Sequence, residues 1–393
     1  MKRIIKTASG CLILSVACAL PLISANATAT RESQAPRAQS PAHQERSIRT
    51  ENSTWTWTSS DDGVRLEVKI HGLVEFSDDY TDVQSITGNG SIRVTDERGG
   101  VTRKFEARTT GGGVDRLYWI NGQSAAFDQD ARAWLAKVLN EAVRQGGYDA
   151  PRRVQRLLRQ GGPAAVLQEI PSLMGDYAKR IYFDELIKSG ELDNQTVQEV
   201  LRQAGAEIHS DYEKAQLLLR VSENYLHDDR QRSIYLGAVN TIHSDYEKGR
   251  ALSAILKQGN LSAENGLLVL RAVGAISSDY EKAQLLIRAA DRVALDGSTQ
   301  AEYLHAVTSM RSDYEKGRTV SAFLAKTGPR RETLLLALKA ASSISSDYEK
   351  AQLLMKVVAA GSQDETVRTA LINEARSIHS EYERGRVLSA VFK

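Results

Sequence analysis

The sequence predicts a mainly helical protein, in which a right-handed α-solenoid of seven hairpins, each of about 34 residues, follows a small antiparallel β domain. Three observations lead to this fold class. A pentapeptide with the consensus Ser-Asp-Tyr-Glu-Lys recurs through the second half of the chain, apolar residues repeat at fixed distances from it, and the preceding segment alternates apolar and polar residues between glycine turns. A fixed period of this length is typical of stacked supersecondary units, whereas a period of two is typical of strands.

The tyrosine of the pentapeptide marks each repeat, and its spacing is constant except for one additional residue between the first two repeats. These seven repeat tyrosines are Tyr177, Tyr212, Tyr246, Tyr280, Tyr314, Tyr348 and Tyr382. Ser278 and Glu281 have the spacing of a capping box, so the motif serine is predicted to begin a helix, which we name helix B. Ile276, four residues before the tyrosine, is predicted to belong to a preceding helix A. Each unit is therefore predicted to be helix A, a tight turn and helix B.

The tyrosine ladder has two interpretations. A row of exposed rings would suit a ligand, whereas rings packed between the repeats would be structural. Tyr280 falls on one helical stripe with Ala283, Leu286 and Ala290, three, six and ten residues later, so we favour packing between the repeats. The small residue at the third position, alanine or glycine as in Gly249, predicts that a neighbouring helix comes close.

The repeats alternate between two types, so the full sequence period is two repeats rather than one. Units with Glu-Lys-Ala-Gln carry a basic residue eight positions after the tyrosine, and units with Gly-Arg carry one four positions after it. Stacked B helices would then present a zigzag basic ridge of Arg220, Arg250, Arg288, Arg318, Lys356 and Arg386. We predict this ridge as a candidate partner-binding surface. The alternative is pairing within a helix, because Glu247 and Arg250, for example, are three positions apart.

The start of the chain predicts export. A basic segment, an apolar stretch and the cleavage signal Ala25-Asn26-Ala27 are typical of a signal peptide, which we place at residues 1–27. The protein is thus expected to be extracytoplasmic, either periplasmic or secreted. Residues 28–53 lack an apolar period and are predicted to be a disordered linker. No later stretch is apolar for long enough to span a membrane.

The middle of the chain divides at a change of period. Residues 54–125 alternate, as in Val64–Ile70, and are predicted to form the small antiparallel β domain. Residues 126–170 have helical periodicity and are predicted to be connecting or capping helices. Residues 171–393 hold the seven repeats of the solenoid.

Composition and motifs argue against several functions. The chain has 51 basic and 49 acidic residues, and loss of the signal peptide would leave a net charge of −1, which does not suit a nucleic-acid binder. Both cysteines lie in the signal peptide. His209, His243 and His379 share one repeat position, but a metal site needs three or four convergent ligands. We therefore predict no catalytic, cofactor-binding or metal-binding residues, and no enzyme.

The repeats resemble those in the extracytoplasmic C-terminal regions of bacterial antirepressor-type (BlaR/MecR-like) membrane metallopeptidases. The segments Ile120-Asn121-Gly122, Trp134-Leu135 and Arg156-Leu157-Leu158 add to this resemblance, which covers roughly residues 60–393. The chain lacks a His-Glu-x-x-His motif, so the resemblance implies a sensing or binding role and no catalysis. The repeat length is also similar to that of tetratricopeptide repeats, without their Trp-Leu-Gly-Tyr pattern, and a generic HEAT-like or TPR-like solenoid describes it.

Three functions remain open at this point. We favour a non-catalytic extracytoplasmic scaffold that binds a protein or peptide, because solenoids offer long contact surfaces. The alternative is a sensor or regulatory module of a cell-envelope signalling system, and a third is a hydrolase with its site in residues 54–170. Leu388 and Phe392 continue the apolar columns in the last helix B and predict a homodimer through the C-terminal repeat.

Overall fold

The computed structural model describes residues 45–51, 54–61, 63–111, 113–190, 192–361 and 363–392. Within these ranges a seven-stranded antiparallel sheet precedes fifteen α-helices, which confirms the predicted fold class of a helical solenoid behind a β domain. The predicted signal peptide and residues 28–44 of the predicted linker lie outside the described residues. In the described part of the chain, the helices are too short or too polar to cross a membrane.

The sheet is a meander in which every strand pairs with the next one along the chain. Its strands are β1 (Glu45–Glu51), β2 (Thr54–Asp61), β3 (Val64–Phe76), β4 (Val83–Arg98), β5 (Val101–Thr110), β6 (Gly113–Ile120) and β7 (Gln123–Ala125). The prediction of a linker over residues 28–53 is wrong for residues 45–51, which form the edge strand β1. A strand that pairs on one side needs few apolar residues, so its sequence carries no alternating pattern.

Helix α1 (Gln129–Gly146) completes the core of the β domain. Its Leu135 and Leu139 are buried together with Leu66 of β3, and the indole of Trp134 donates a hydrogen bond of 2.8 Å to the buried carboxylate of Asp96 on β4. The strands end at Ala125, where the predicted β domain ends, and α1 beyond it covers the apolar face of the sheet.

A polar contact also joins the β domain to the repeats. Tyr80, in the loop between β3 and β4, is buried and donates a hydrogen bond of 3.3 Å to Asp149, just before α2. The guanidinium groups of Arg153 and Arg156 lie 5.1 and 5.6 Å from the centre of the Tyr80 ring. Burial raises the pKa of the Asp149 carboxyl. The nearby charge of Arg152, the hydrogen bond from Tyr80 and the charge of Arg156 offset this rise in pKa only in part.

The remaining helices form seven hairpins. In the first, α2 (Ala150–Glu169), kinked at Gly161 and Gly162, precedes α3 (Asp176–Lys188). The next three are α4 (Asn194–Glu207) with α5 (Asp211–Asn224), α6 (Asp229–Asn240) with α7 (Asp245–Lys257), and α8 (Ala263–Gly274) with α9 (Asp279–Arg292). The last three are α10 (Gly297–Thr308) with α11 (Asp313–Thr327), α12 (Arg331–Ala341) with α13 (Asp347–Gly361), and α14 (Glu365–Arg376) with α15 (Glu381–Val391). Each helix packs against its counterpart in the next hairpin.

The predicted capping and the column before the tyrosine are confirmed. The residues four positions before each tyrosine are all buried: Leu173, Ile208, Ile242, Ile276, Met310, Ile344 and Ile378. The side chain of Ser278 caps α9 by accepting a hydrogen bond of 3.4 Å from the backbone N–H of Glu281. Ser210, Ser244, Ser312, Ser346 and Ser380 make the same contact in their helices. The motif serine therefore begins helix B in these six hairpins.

The motif aspartate connects one repeat to the next. Asp279 Oδ2 accepts hydrogen bonds of 2.8 and 2.7 Å from the backbone N–H groups of Arg311 and Ser312, at the following turn. Equivalent contacts are made by Asp176, Asp211, Asp245, Asp313 and Asp347. Each carboxylate thus satisfies backbone donors at the start of the next helix B, which would otherwise lack a partner in the protein.

The motif lysine also reaches forward. Lys282 is only 5% exposed, and its ammonium group donates a hydrogen bond of 2.9 Å to Ser309 Oγ, at the end of α10 in the next hairpin. Lys316 donates one of 2.6 Å to the carbonyl of Ser343 after α12. A cation at the C-terminal end of a helix also interacts favourably with the helix dipole. Three of the five motif side chains therefore have a structural role, because serine caps helix B while aspartate and lysine hold the next repeat. The motif glutamate gives the cap only its backbone N–H group, so the second half of the predicted capping box is not formed within the described helices.

Candidate functional site

The motif tyrosine is exposed. The side chains from Tyr212 to Tyr382 in the ladder are between 53% and 75% exposed, and only Tyr177 of the first hairpin is half-buried. The prediction that the tyrosines pack between the repeats is wrong. In α9 the buried residues are Lys282, Ala283, Leu285, Leu286, Ala289 and Ala290. At about 100° per residue, the centre of this buried arc lies roughly 140° from the tyrosine, which therefore faces solvent.

Three basic residues of the predicted ridge are paired within their own helices. The carboxylates of Glu247, Glu315 and Glu383 lie 2.7, 3.3 and 3.1 Å from the guanidinium groups three positions later, those of Arg250, Arg318 and Arg386. Pairing within a helix, the alternative to a binding ridge, thus accounts for these three arginines. Their guanidinium groups remain near the tyrosines: that of Arg250 lies 5.9 Å from the centre of the Tyr246 ring, and that of Arg318 lies 6.0 Å from the Tyr314 ring.

The other three basic residues lie in different surroundings. Arg288 donates a hydrogen bond of 2.9 Å to Ser253 Oγ on the preceding helix B, and Lys356 donates one of 2.7 Å to Ser321 Oγ. Among the described residues, no carboxylate lies within 4.0 Å of either cation. Arg220 differs, because the carboxylate of Glu223 is 3.7 Å away. The ridge therefore contains two exposed cations whose charge is not neutralised by a close acidic neighbour.

The tyrosines and the cations meet in a groove of about 410 Å³ between α7 and α9. Tyr246 and Arg250 line one side, and Tyr280 and Arg288 line the other. Gly249 forms part of the groove, and a Cβ added there would meet nothing closer than Glu281 Oε2 at 3.7 Å. The prediction that this glycine lets a neighbouring helix come close is therefore wrong, since the position would accommodate the methyl group of an alanine. The glycine leaves the groove open.

The remaining predicted positions do not converge. His209, His243 and His379 are exposed, and each lies beside the aspartate of the preceding repeat, with Nδ1 3.8 Å from its Oδ1. Within the described ranges, no three potential metal ligands come together. In α15, Leu388 is half-buried and Phe392 just beyond the helix is 72% exposed. The homodimer through this repeat stays a prediction.

A second cavity, of about 420 Å³, lies in the β domain between the sheet and α1. Trp134 and Asp96 form part of its lining, with Arg98, Arg103 and Lys137 around them. The Asp96 carboxylate already accepts hydrogen bonds from Trp134 and, at 2.6 Å, from Arg98. This carboxylate is engaged in holding α1 on the sheet, and the cavity brings no nucleophile and base together among its lining residues.

The fold and this surface define a class of protein: an α-solenoid with a β domain and a row of exposed tyrosines along its B helices. Comparisons with known protein families, with curated proteins and with solved structures find no match for the chain. The resemblance to antirepressor-type proteins therefore stays a prediction. The sequence allows an exposed tyrosine row as one of two interpretations but favours packing, because the burial of the motif lysine two positions later is visible only in the structure.

Proposed function

We propose that this protein is a non-catalytic scaffold outside the cytoplasm, and that it holds a protein or peptide partner along its B helices. One observation carries the proposal. The side chains of the motif serine, aspartate and lysine have structural partners, and the motif glutamate pairs with an arginine in the Gly-Arg units, whereas the tyrosine recurs in every repeat and, from the second hairpin onward, points its ring into solvent. A residue repeated at this spacing without a packing role is best explained by contact with a partner.

The chemistry of the row supports this proposal. Tyrosine offers a large apolar ring and a hydroxyl group, and few rotatable bonds are frozen when it binds, so it is enriched in protein interfaces. Arg250 and Arg318 beside their tyrosines add donors for carbonyl or carboxylate groups. A row with one ring per hairpin provides several equivalent contacts along one extended partner. The location outside the cytoplasm rests on the predicted signal peptide.

The test begins with a partner identified by photo-crosslinking. A benzoylphenylalanine side chain at Tyr280 of the full chain is irradiated in an extract of the producing cells, and the crosslinked peptide is identified by mass spectrometry. The affinity of the purified partner is then measured for the double variant Tyr280→Ala/Tyr314→Ala. We expect the two substitutions together to cost at least about 2 kcal/mol of binding free energy, the loss expected when an interface hot spot is removed.

A matched control lies on the A helices. His305→Ala/Lys339→Ala replaces two exposed residues beside a groove between α10 and α12 and should leave the affinity unchanged. Both double variants should unfold at the wild-type temperature, because exposed substitutions rarely change stability by more than about 0.5 kcal/mol. Wild-type affinity in the tyrosine variant would refute the proposal.

A further inference from the structure

Most of the residues that line the groove between α7 and α9 recur one full sequence period later, and we name the corresponding surface between α11 and α13 the second groove. Tyr246, Arg250 and Arg288 have their counterparts in Tyr314, Arg318 and Lys356, each two repeats further along the chain. The contacts are copied too, since Lys356 donates to Ser321 as Arg288 donates to Ser253. Helices α11 and α13 also pack against each other.

Each groove holds one cation in place without neutralising it. The hydroxyl of Ser253 orients the guanidinium of Arg288 at 2.9 Å, and the hydroxyl of Ser321 orients the ammonium group of Lys356 at 2.7 Å. Both side chains are exposed, and a hydroxyl is a neutral acceptor that leaves the positive charge available. A cation already fixed by a neighbour loses less conformational entropy when it binds an anion.

We propose that the two grooves together bind carboxylates of one extended acidic segment in a partner polypeptide. This inference rests on the proposed scaffold function and specifies its ligand. The first groove is also lined by Lys257 and by Arg250, which is paired with a glutamate of its own helix. Such a small number of separate cations suits discrete carboxylates, whereas a continuous polyanion such as a nucleic acid requires a broad basic surface. The exposed ring of Tyr280, which lines the first groove together with Arg288, would contact the peptide chain between its acidic residues, and Tyr348 is its exposed counterpart one sequence period later.

The distance between the grooves sets the spacing of the acidic residues. Neighbouring helices pack about 8–10 Å apart, so equivalent points on α7 and α11, two hairpins apart, are separated by roughly 16–20 Å. An extended chain advances about 3.3 Å per residue. The carboxylates that reach Arg288 and Lys356 are therefore expected about five to six residues apart in the partner sequence.

The test uses three fluorescent Gly-Ser peptides of equal length and the full chain. One carries two Asp-Glu pairs whose centres are six residues apart, one carries the same pairs adjacent, and one has Asn-Gln in place of each pair. Fluorescence anisotropy at low salt measures their affinities. We expect the spaced peptide to bind at least about tenfold more tightly than the adjacent one, because only it engages both grooves at once. The Asn-Gln peptide should not bind.

Variants assign the effect to the two cations. Arg288→Ala and Lys356→Ala should each remove the advantage of the spaced peptide, whereas Arg288→Lys, which copies the second groove, should keep it. Lys339→Ala on α12 is the control for loss of one exposed charge elsewhere. Equal affinity for spaced and adjacent pairs, or unchanged binding by the alanine variants, would overturn the inference.

One further result separates this inference from the scaffold function. If a crosslinked partner loses affinity with Tyr280→Ala but not with Arg288→Ala, the scaffold function stands and the acidic ligand is refuted. A sulfated oligosaccharide provides a second comparison. If it displaces the spaced peptide, binds more tightly than that peptide and loses affinity with Arg288→Ala and Lys356→Ala, the polypeptide ligand is refuted.

Discussion

The carboxylate of Asp279 lies 2.7 Å from the backbone nitrogen of Ser312, so the start of one helix B is held by the start of the helix B before it. Apolar columns tolerate small shifts of one helix along another, but a hydrogen bond to a particular N–H group does not. The repeated aspartate contact therefore fixes the register between consecutive hairpins.

Replacing Asp279 with alanine should destabilise the array locally. The substitution leaves the N–H groups of Arg311 and Ser312 without this acceptor, which should cost about 1–3 kcal/mol. Hydrogen exchange should show faster exchange in the turn before α11, while α5 remains protected. Tyr280→Ala, at the next position, is the control and should change the stability by less than about 0.5 kcal/mol. Equal exchange in the two variants would contradict the role of Asp279.

Leu286→Ala should be more costly, because Leu286 is fully buried in α9. Deletion of a buried leucine side chain typically costs about 2–5 kcal/mol of unfolding free energy. Ile287→Ala, at the half-buried neighbouring position, should cost clearly less. Urea denaturation of both variants measures the difference. Similar midpoints would show that the position six residues after the tyrosine, occupied by Leu286, is wrongly assigned to the core.

Substitution of two helical glycines by alanine should change the stability of the protein in opposite directions. Gly249→Ala places a methyl group in ordinary van der Waals contact, 3.7 Å from Glu281 Oε2, within a helix and should stabilise the protein by about 0.5–1 kcal/mol. Gly266→Ala on α8 would bring its Cβ to 2.5 Å from Val293 Cγ1 and should destabilise the protein by about 1–3 kcal/mol. Thermal unfolding of the two variants checks this, and a loss of stability with Gly249→Ala would show that the groove floor is packed.

Acid should weaken the contact between the last two repeats. Hydrogen bonds from the backbone N–H groups of Ser380 and His379 hold the pKa of Asp347 below its ordinary value of 3.8. A carboxyl whose pKa is lower in the folded state stabilises the fold above its unfolded pKa, and this stability is lost as pH falls through the folded pKa. Urea unfolding between pH 6 and pH 2 should show a shallower decline for Asp347→Asn. Parallel curves for the variant and the wild type would contradict this.

The periodic features of the fold could be predicted, whereas contacts between repeats could not. The column that contains Ile276 and the cap at Ser278 recur along the sequence and depend on local helix geometry. The role of Asp279 depends on a backbone group in the next repeat, which a sequence period does not identify. Tyr280 was placed on the wrong side because Lys282, a charged residue, was not expected among the buried ones.

The β domain shows the same limit. Alternation in β3 revealed a strand, but β1 pairs on one side and lacks that pattern. Helix α1 was recognised as a helix from its periodicity, yet its partner is the sheet rather than the repeats that follow. The tertiary fold decides which element covers an apolar face. The sequence does not show whether α1 packs on the sheet before it or on the repeats after it.

The aspartate and lysine contacts run from each hairpin to the next, which is also the direction in which a ribosome releases the chain. A hairpin that has just formed presents Asp279 and Lys282 to a segment that is still being synthesised. The newly made helices can then dock on an ordered template, and folding can advance by one hairpin at a time. Growth of the fold during translation would thus have a built-in polarity, since the contacts of the motif aspartate and lysine are offered by the earlier hairpin to the later one.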